Sequence, residues 1–162
     1  MASQFDRILT FADYWVGKRR AAELPRLADL LPEEMFRALP NLVVWEVVDD
    51  GADYLCTLCG EDLNDNYGWN PKGHRLNDII RDNRSIAVFK SNFDRVREVG
   101  DAITVIDRFE GHRGTTKRTV GVVAPLSDGA GAIAHIICCA IYVSNGESEI
   151  ARGRLMEALA GA

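Results

Sequence analysis

TTKRTVGVVAPLSDGAGAIAHIICCAIYV, residues 115–143, decides how this chain folds. Val120, Val122, Val123, Ile133, Ile136, Ile137, Ile141 and Val143 are β-branched, and Ser127-Asp128-Gly129 punctuates the middle. This composition predicts two long strands folded back through a Gly-rich turn. In the second strand the odd positions (Ile133, His135, Ile137, Cys139, Ile141, Val143) and the even ones (Ala134, Ile136, Cys138, Ala140, Tyr142) are both mostly apolar. Successive strand residues point to opposite faces. Both faces are therefore expected to be covered, one by the domain's own helices and the other by a terminal helix or a second subunit.

Working back from this hairpin, residues 102–109 read as a third central strand, joined to it by Gly111-His112-Arg113-Gly114. Residues 86–99 read as the main helix, with Ile86, Phe89, Phe93 and Val96 at three- and four-residue spacing and Gly100 just past the end. Val43, Trp45 and Val47 alternate in a strand that Asp49-Asp50-Gly51 turns into a second one over 54–59. The Asp, Asn, Gly and Pro content of residues 60–73 predicts short helical turns, followed by one more turn carrying Leu76, Ile79 and Ile80. At the start, Phe5, Ile8, Leu9, Ala12, Trp15 and Val16 form the stripe of an amphipathic helix expected to end near Leu24-Pro25. A short helix is expected from Pro32, with Glu33 and Glu34 in its first turn, and a weakly stamped last helix over 148–159. The order predicts an α+β fold: a five-stranded antiparallel sheet with helices on one face and an N-terminal amphipathic helix.

This order and these lengths resemble the PAS superfamily and, more narrowly, a bacterial family of small stand-alone PAS-like (PAS_5-type) proteins. The likeness is carried by Leu24-Pro25-Arg26, Leu31-Pro32-Glu33-Glu34, Leu39-Pro40-Asn41-Leu42, residues 54–60, Gly73-His74-Arg75-Leu76 and Ala124-Pro125-Leu126-Ser127, together spanning residues 24–143. The resemblance implies a PAS-like domain over residues 24–145, flanked by an N-terminal helix over 1–23 and a C-terminal tail or short helix over 146–162. It also implies a non-catalytic sensory or regulatory role. Such relatives carry an arginine and a Gly-Thr pair in the second strand, where this chain has Cys56, Cys59 and Gly60-Glu61. The Asn-Cys-Arg-like motif of the flavin-binding branch has no match near residues 76–84, and residues 86–99 hold no histidine of the kind the haem-binding branch supplies. No haem, flavin or metal motif is matched, and the cofactor is left unknown.

The other motifs read as decoys. Cys56-Thr57-Leu58-Cys59 has redox or zinc spacing, but positions three apart in a regular strand face opposite sides. Gly129-Ala130-Gly131-Ala132-Ile133-Ala134 fits a dinucleotide fingerprint, yet it opens a strand where that motif must open a helix. Asp62-Leu63-Asn64-Asp65-Asn66 starts like a calcium loop, but Tyr67 takes the glycine position and Gly73 the glutamate position. No nucleophile motif or P-loop is present, and the three histidines, His74, His112 and His135, have no evident nucleophile beside them.

A length of 162 residues fits one domain, and a net charge of −5 disfavours a nucleic-acid surface. The opening residues carry no secretory pattern, and the longest apolar run is too short to span a bilayer, so a cytoplasmic protein with reduced thiols is expected. Phe89, Phe93, Ile106, Val122, His135, Ile136, Cys138 and Ala140 are the candidate pocket residues, small side chains at Cys138 and Ala140 leaving room opposite an aromatic helix face. A filled core is the alternative, and either parity of the last strand can face the helices. With no room for an effector beyond Val143, output is expected to pass to a partner protein or through a homodimer formed by the N-terminal helix and outer sheet face. The competing function is a small-molecule binding protein or minor enzyme using His135 or His74 as acid or base.

Overall fold

The computed structural model describes residues 3–19, 23–144 and 146–161. Five strands form one antiparallel sheet: β1 (Leu42–Val48), β2 (Asp53–Cys59), β3 (Ile103–Glu110), β4 (Thr116–Ser127) and β5 (Ile133–Tyr142). Their spatial order is β2-β1-β5-β4-β3. The predicted hairpin is β4–β5, paired from Thr119↔Tyr142 to Ser127↔Ile133. β1 pairs along the other side of β5, Val43 meeting Cys138 and Val44 meeting Ile137, so β5 is central. This is the α+β arrangement expected from the sequence.

The α-helices among the described residues are α1 (Gln4–Lys18), α2 (Glu61–Tyr67), α3 (Leu76–Asp82), α4 (Ala87–Val99) and α5 (Ser148–Ala160). Ser3 caps α1 with a reciprocal bond to Asp6, which satisfies two of its unpaired amides. Helix α1 stops at Lys18, short of the expected Leu24-Pro25, and residues 20–22 lie outside the described residues. The segment beginning at Pro32 is a single 3₁₀ turn, Pro32–Glu34, with a second at Leu39–Asn41. The β1–β2 turn is tight because Asp49, Asp50 and Gly51 all take positive φ (52°, 54° and 90°), a region that aspartate tolerates and glycine favours.

Both sheet faces are covered, each by a separate apolar layer. On one face Ile8, Phe11, Ala12 and Trp15 of α1 and Ala151 and Leu155 of α5 pack on Leu42, Val44, Val120, Val122, Ala124, Ile137, Cys139 and Ile141. On the other, Leu76, Ile79, Ile86, Phe93 and Val96 from α3, α4 and the turn before α4 pack on Trp45, Tyr54, Cys56, Phe109, Val123, Ile136 and Cys138. The terminal helices of the same chain thus cover the face for which a second subunit was the alternative. Trp15 also donates from Nε1 to the Pro125 carbonyl at 3.3 Å, tying α1 to β4.

Candidate functional site

A cavity of about 100 Å³ lies between the sheet and helices α2 and α4. Strand alternation explains why it forms. Thr119, Gly121 and Val123 of β4 point to this side, as do Cys138, Ala140 and Tyr142 of β5. Gly121 and Ala140 are cross-strand partners, so the two smallest side chains of the central pair stand together where their neighbours fill the layer. A side chain on Gly121 would begin 3.4 Å from Ala140 Cβ. Across this gap stand Phe89, Asn92 and Phe93 of α4 and Tyr67 of α2.

The walls are aromatic. Phe89 and Phe109 meet edge to face at 5.0 Å between centroids, Tyr67 and Phe109 at 6.0 Å, and Phe109 and Tyr142 at 6.3 Å. Deeper in the layer Phe93 packs on Trp45 at 5.6 Å and on Tyr54 at 5.1 Å. Burial and the Asp94 carboxylate that accepts its hydroxyl push Tyr54 up to about 12. The Phe89–Phe109 and Tyr54–Phe93 pairs are edge-on and the others tilted, within the offset geometries that aromatic pairs prefer.

Against these apolar walls stands one acid. Asp107 of β3 is only 6% exposed and lines the cavity. Asn92 Nδ2 donates to its Oδ2 at 2.9 Å. Burial raises the Asp107 carboxyl above its ordinary range, and the bond from Asn92 opposes that shift.

Of the residues predicted to form the pocket, Phe89, Phe93, Cys138 and Ala140 line this cavity. Ile136 lies in the same layer beside its cross-strand partner Trp45. Ile106 and His135 are corrected: they do not line the cavity and, like Val122, belong to the opposite parity. Ile106 pairs with Val120 and packs in the layer under α1. Val122 also lines the cavity, although its side chain packs in that same outer layer. His135, in register with Glu46 and Leu126, shares its face with Ile137 and Cys139. Its imidazole is pushed below the ordinary value by burial, with Glu46 opposing the shift. His74 is exposed and stacks edge-on with Trp69 at 4.9 Å.

Asp107, Asn92, Thr119 and Gly121 were not anticipated. The signal available in the sequence was Asp107 itself, an acid at an inward position of a central strand.

The cysteines need a second correction. A β-bulge between Val44 and Trp45 lets Cys56 and Cys59 both turn toward the inner layer, although they are three residues apart. Proximity does not activate them, because burial pushes both thiols up to about 12. Among the described residues no group of three or more His, Cys, Asp or Glu side chains is placed to hold a metal.

No protein-family model matches the sequence, and no curated protein matches it. Solved structures do. A light-oxygen-voltage domain known from work with a flavin analogue is 15% identical, covers 77% of this chain and 93% of its own, and superposes with a TM-score of 0.56. The light-state LOV domain of the blue-light photoreceptor Aureochrome1 is 16% identical, covers 77% and 98%, and gives 0.53. VqmA bound to DPO is 15% identical, covers 68% of this chain and 56% of its own, and gives 0.50.

A flavin does not fit the residues present. Drug-sized ligands occupy cavities of roughly 300–1,000 Å³, well above the volume here, and the four cysteines lie on β2 and β5 with none on α3. What the chain shares with these proteins is its architecture: it has the PAS fold.

Proposed function

We propose that this protein is a non-catalytic sensory module whose input is a small molecule held between the sheet and α4. The observation that carries this reading is the Gly121–Ala140 gap facing Phe89 and Phe93, a concave apolar site with few polar groups. The similar structures support it by analogy, one being a blue-light photoreceptor and another being VqmA bound to DPO. Output passes to a separate partner protein or to a second copy. With the sheet face under α1 and α5 already filled, that contact uses the outward side of the helical layer, where Ile150 and Met156 of α5 are exposed. No helix among the described residues is long and apolar enough to cross a membrane.

The test is native mass spectrometry of freshly purified protein beside its denatured mass, with an absorption spectrum of the same sample. An added non-covalent mass supports the reading and weighs the ligand. A clean mass, together with no binding from a library of small molecules, would leave the cavity a packing defect and overturn it.

A further inference from the structure

Burying a carboxylate costs free energy unless charge or hydrogen bonds compensate. Asp107 receives one bond, from Asn92 to Oδ2. Among the described residues no ion pair reaches it and no donor serves its Oδ1. Its field also falls on the Cys138 thiol across the cavity, where it adds to the upward push of burial. Asp107 thus lines the space between β3, β5 and α4 with one carboxylate oxygen given no donor.

Phe89 and Phe109 line the same space, and aromatic rings attract cations to their faces. Thr119, the cross-strand partner of Asp107, is buried beside it and adds a hydroxyl to the lining. Size limits the choice further. An apolar cavity of roughly 150 Å³ holds benzene, so about 100 Å³ admits a group of four or five heavy atoms.

We propose that the cavity selects a small planar organic cation with N–H donors, of the amidinium or azolium class, with Asp107 Oδ1 as its counter-ion and acceptor. This assignment rests on the reading of the cavity as a ligand site. Asn92 is the positioning residue: by occupying Oδ2 it turns Oδ1 toward the ligand. The bound cation supplies the countercharge that the protein lacks at this point, so ligand binding and ionisation of Asp107 reinforce each other.

The experiment titrates the whole protein with acetamidinium, its neutral isostere acetamide, and thiophene, following backbone amides by ¹H–¹⁵N correlation spectroscopy at pH 7. Acetamidinium is expected to shift the amides of Asp107, Asn92, Gly121 and Ala140 and to bind at least about tenfold more tightly than acetamide, the scale of a hydrogen bond to a charged group. In Asp107→Asn that preference is lost. If acetamide or thiophene binds wild-type protein as tightly as acetamidinium, the cation assignment is overturned while the cavity stands as a ligand site. If none of the three shifts those amides, both the assignment and the ligand-site reading fall. Should Asp107→Asn not fold, the wild-type comparison decides alone, since acetamidinium and acetamide match in shape and differ in charge.

Discussion

Gly121 of β4 lies directly across from Ala140 of β5, and this pair of small residues keeps the inner layer from closing. Enlarging either member fills the space. Ala140→Leu is expected to abolish binding of any cavity ligand while destabilising the protein by at most about 1–3 kcal/mol, the range for overpacking a filled core. Ligand titration and a urea melt of the same variant separate the two effects.

Trp15 joins α1 to the outer face of the sheet through its buried ring and its bond to the Pro125 carbonyl. Trp15→Ala is expected to cost about 3–5 kcal/mol, measured by chemical denaturation. Removing residues 1–19 would uncover Val122, Ala124, Ile137 and Cys139 together. The truncated protein is expected to bind a hydrophobic dye strongly or to aggregate. A soluble, dye-negative truncation would show that α5 alone covers this face.

Tyr54 donates to Asp94 Oδ1 at 2.6 Å and so pins β2 to α4. Lys90 bonds the other oxygen of Asp94 at 3.0 Å, so the carboxylate keeps a partner when the phenol is removed. Tyr54→Phe is expected to cost about 1.5–3 kcal/mol, the net worth of a hydrogen bond to a charged acceptor. Equilibrium unfolding in urea gives the value.

The thiols predict an accessibility result. With Cys56 and Cys59 pushed up to about 12, only roughly one thiol in ten thousand is ionised at pH 8. Cys138 and Cys139 are raised as well by full burial. Native protein is expected to react slowly with a thiol-specific disulfide reagent, and all four cysteines are expected to react at once on unfolding. Fast labelling of one or two thiols in native protein would show that β2 opens.

Two buried groups set opposite pH trends. His135 has a folded value below its ordinary 6.5, so the stability it confers is present above pH 6.5 and is lost as pH falls toward the folded value. Asp107 has a folded value above its ordinary 3.8, so its contribution is present below 3.8 and is lost as pH rises through the folded value. Melting temperatures between pH 4 and 8 are expected to flatten on the acid side in His135→Asn and above pH 4 in Asp107→Asn. An unchanged profile in His135→Asn would mean that the ring is solvated in the folded state.

The strands and most turns were legible because their signals are local. β-Branched runs, the Asp49-Asp50-Gly51 turn and the Phe89–Phe93–Val96 stripe each state a backbone preference within a few residues. Five of the eight predicted pocket residues line the cavity; Phe89 and Phe93 follow from helical spacing and Cys138 and Ala140 from small size, with Val122 beside them. His135 and Val122 took the outer parity because β4 and β5 are apolar on both faces, and Ile106 did so on β3; alternation alone does not say which face meets the helices.

From its sequence alone this chain declares five strands, the long helix α4 before β3, and a central hairpin that must be buried twice over. Tertiary structure decided the rest. Which parity of β5 meets α4 depends on two layers competing for one sheet, a contest settled by the joint packing of α1 and α5 over Ile137, Cys139 and Ile141. Cys56 and Cys59 share a face only because a bulge at Val44/Trp45 shifts the register by one residue. Asn92 meets Asp107 because α4 crosses β3 at that point. Each of these is a relation between segments distant in space or register, which no local preference encodes.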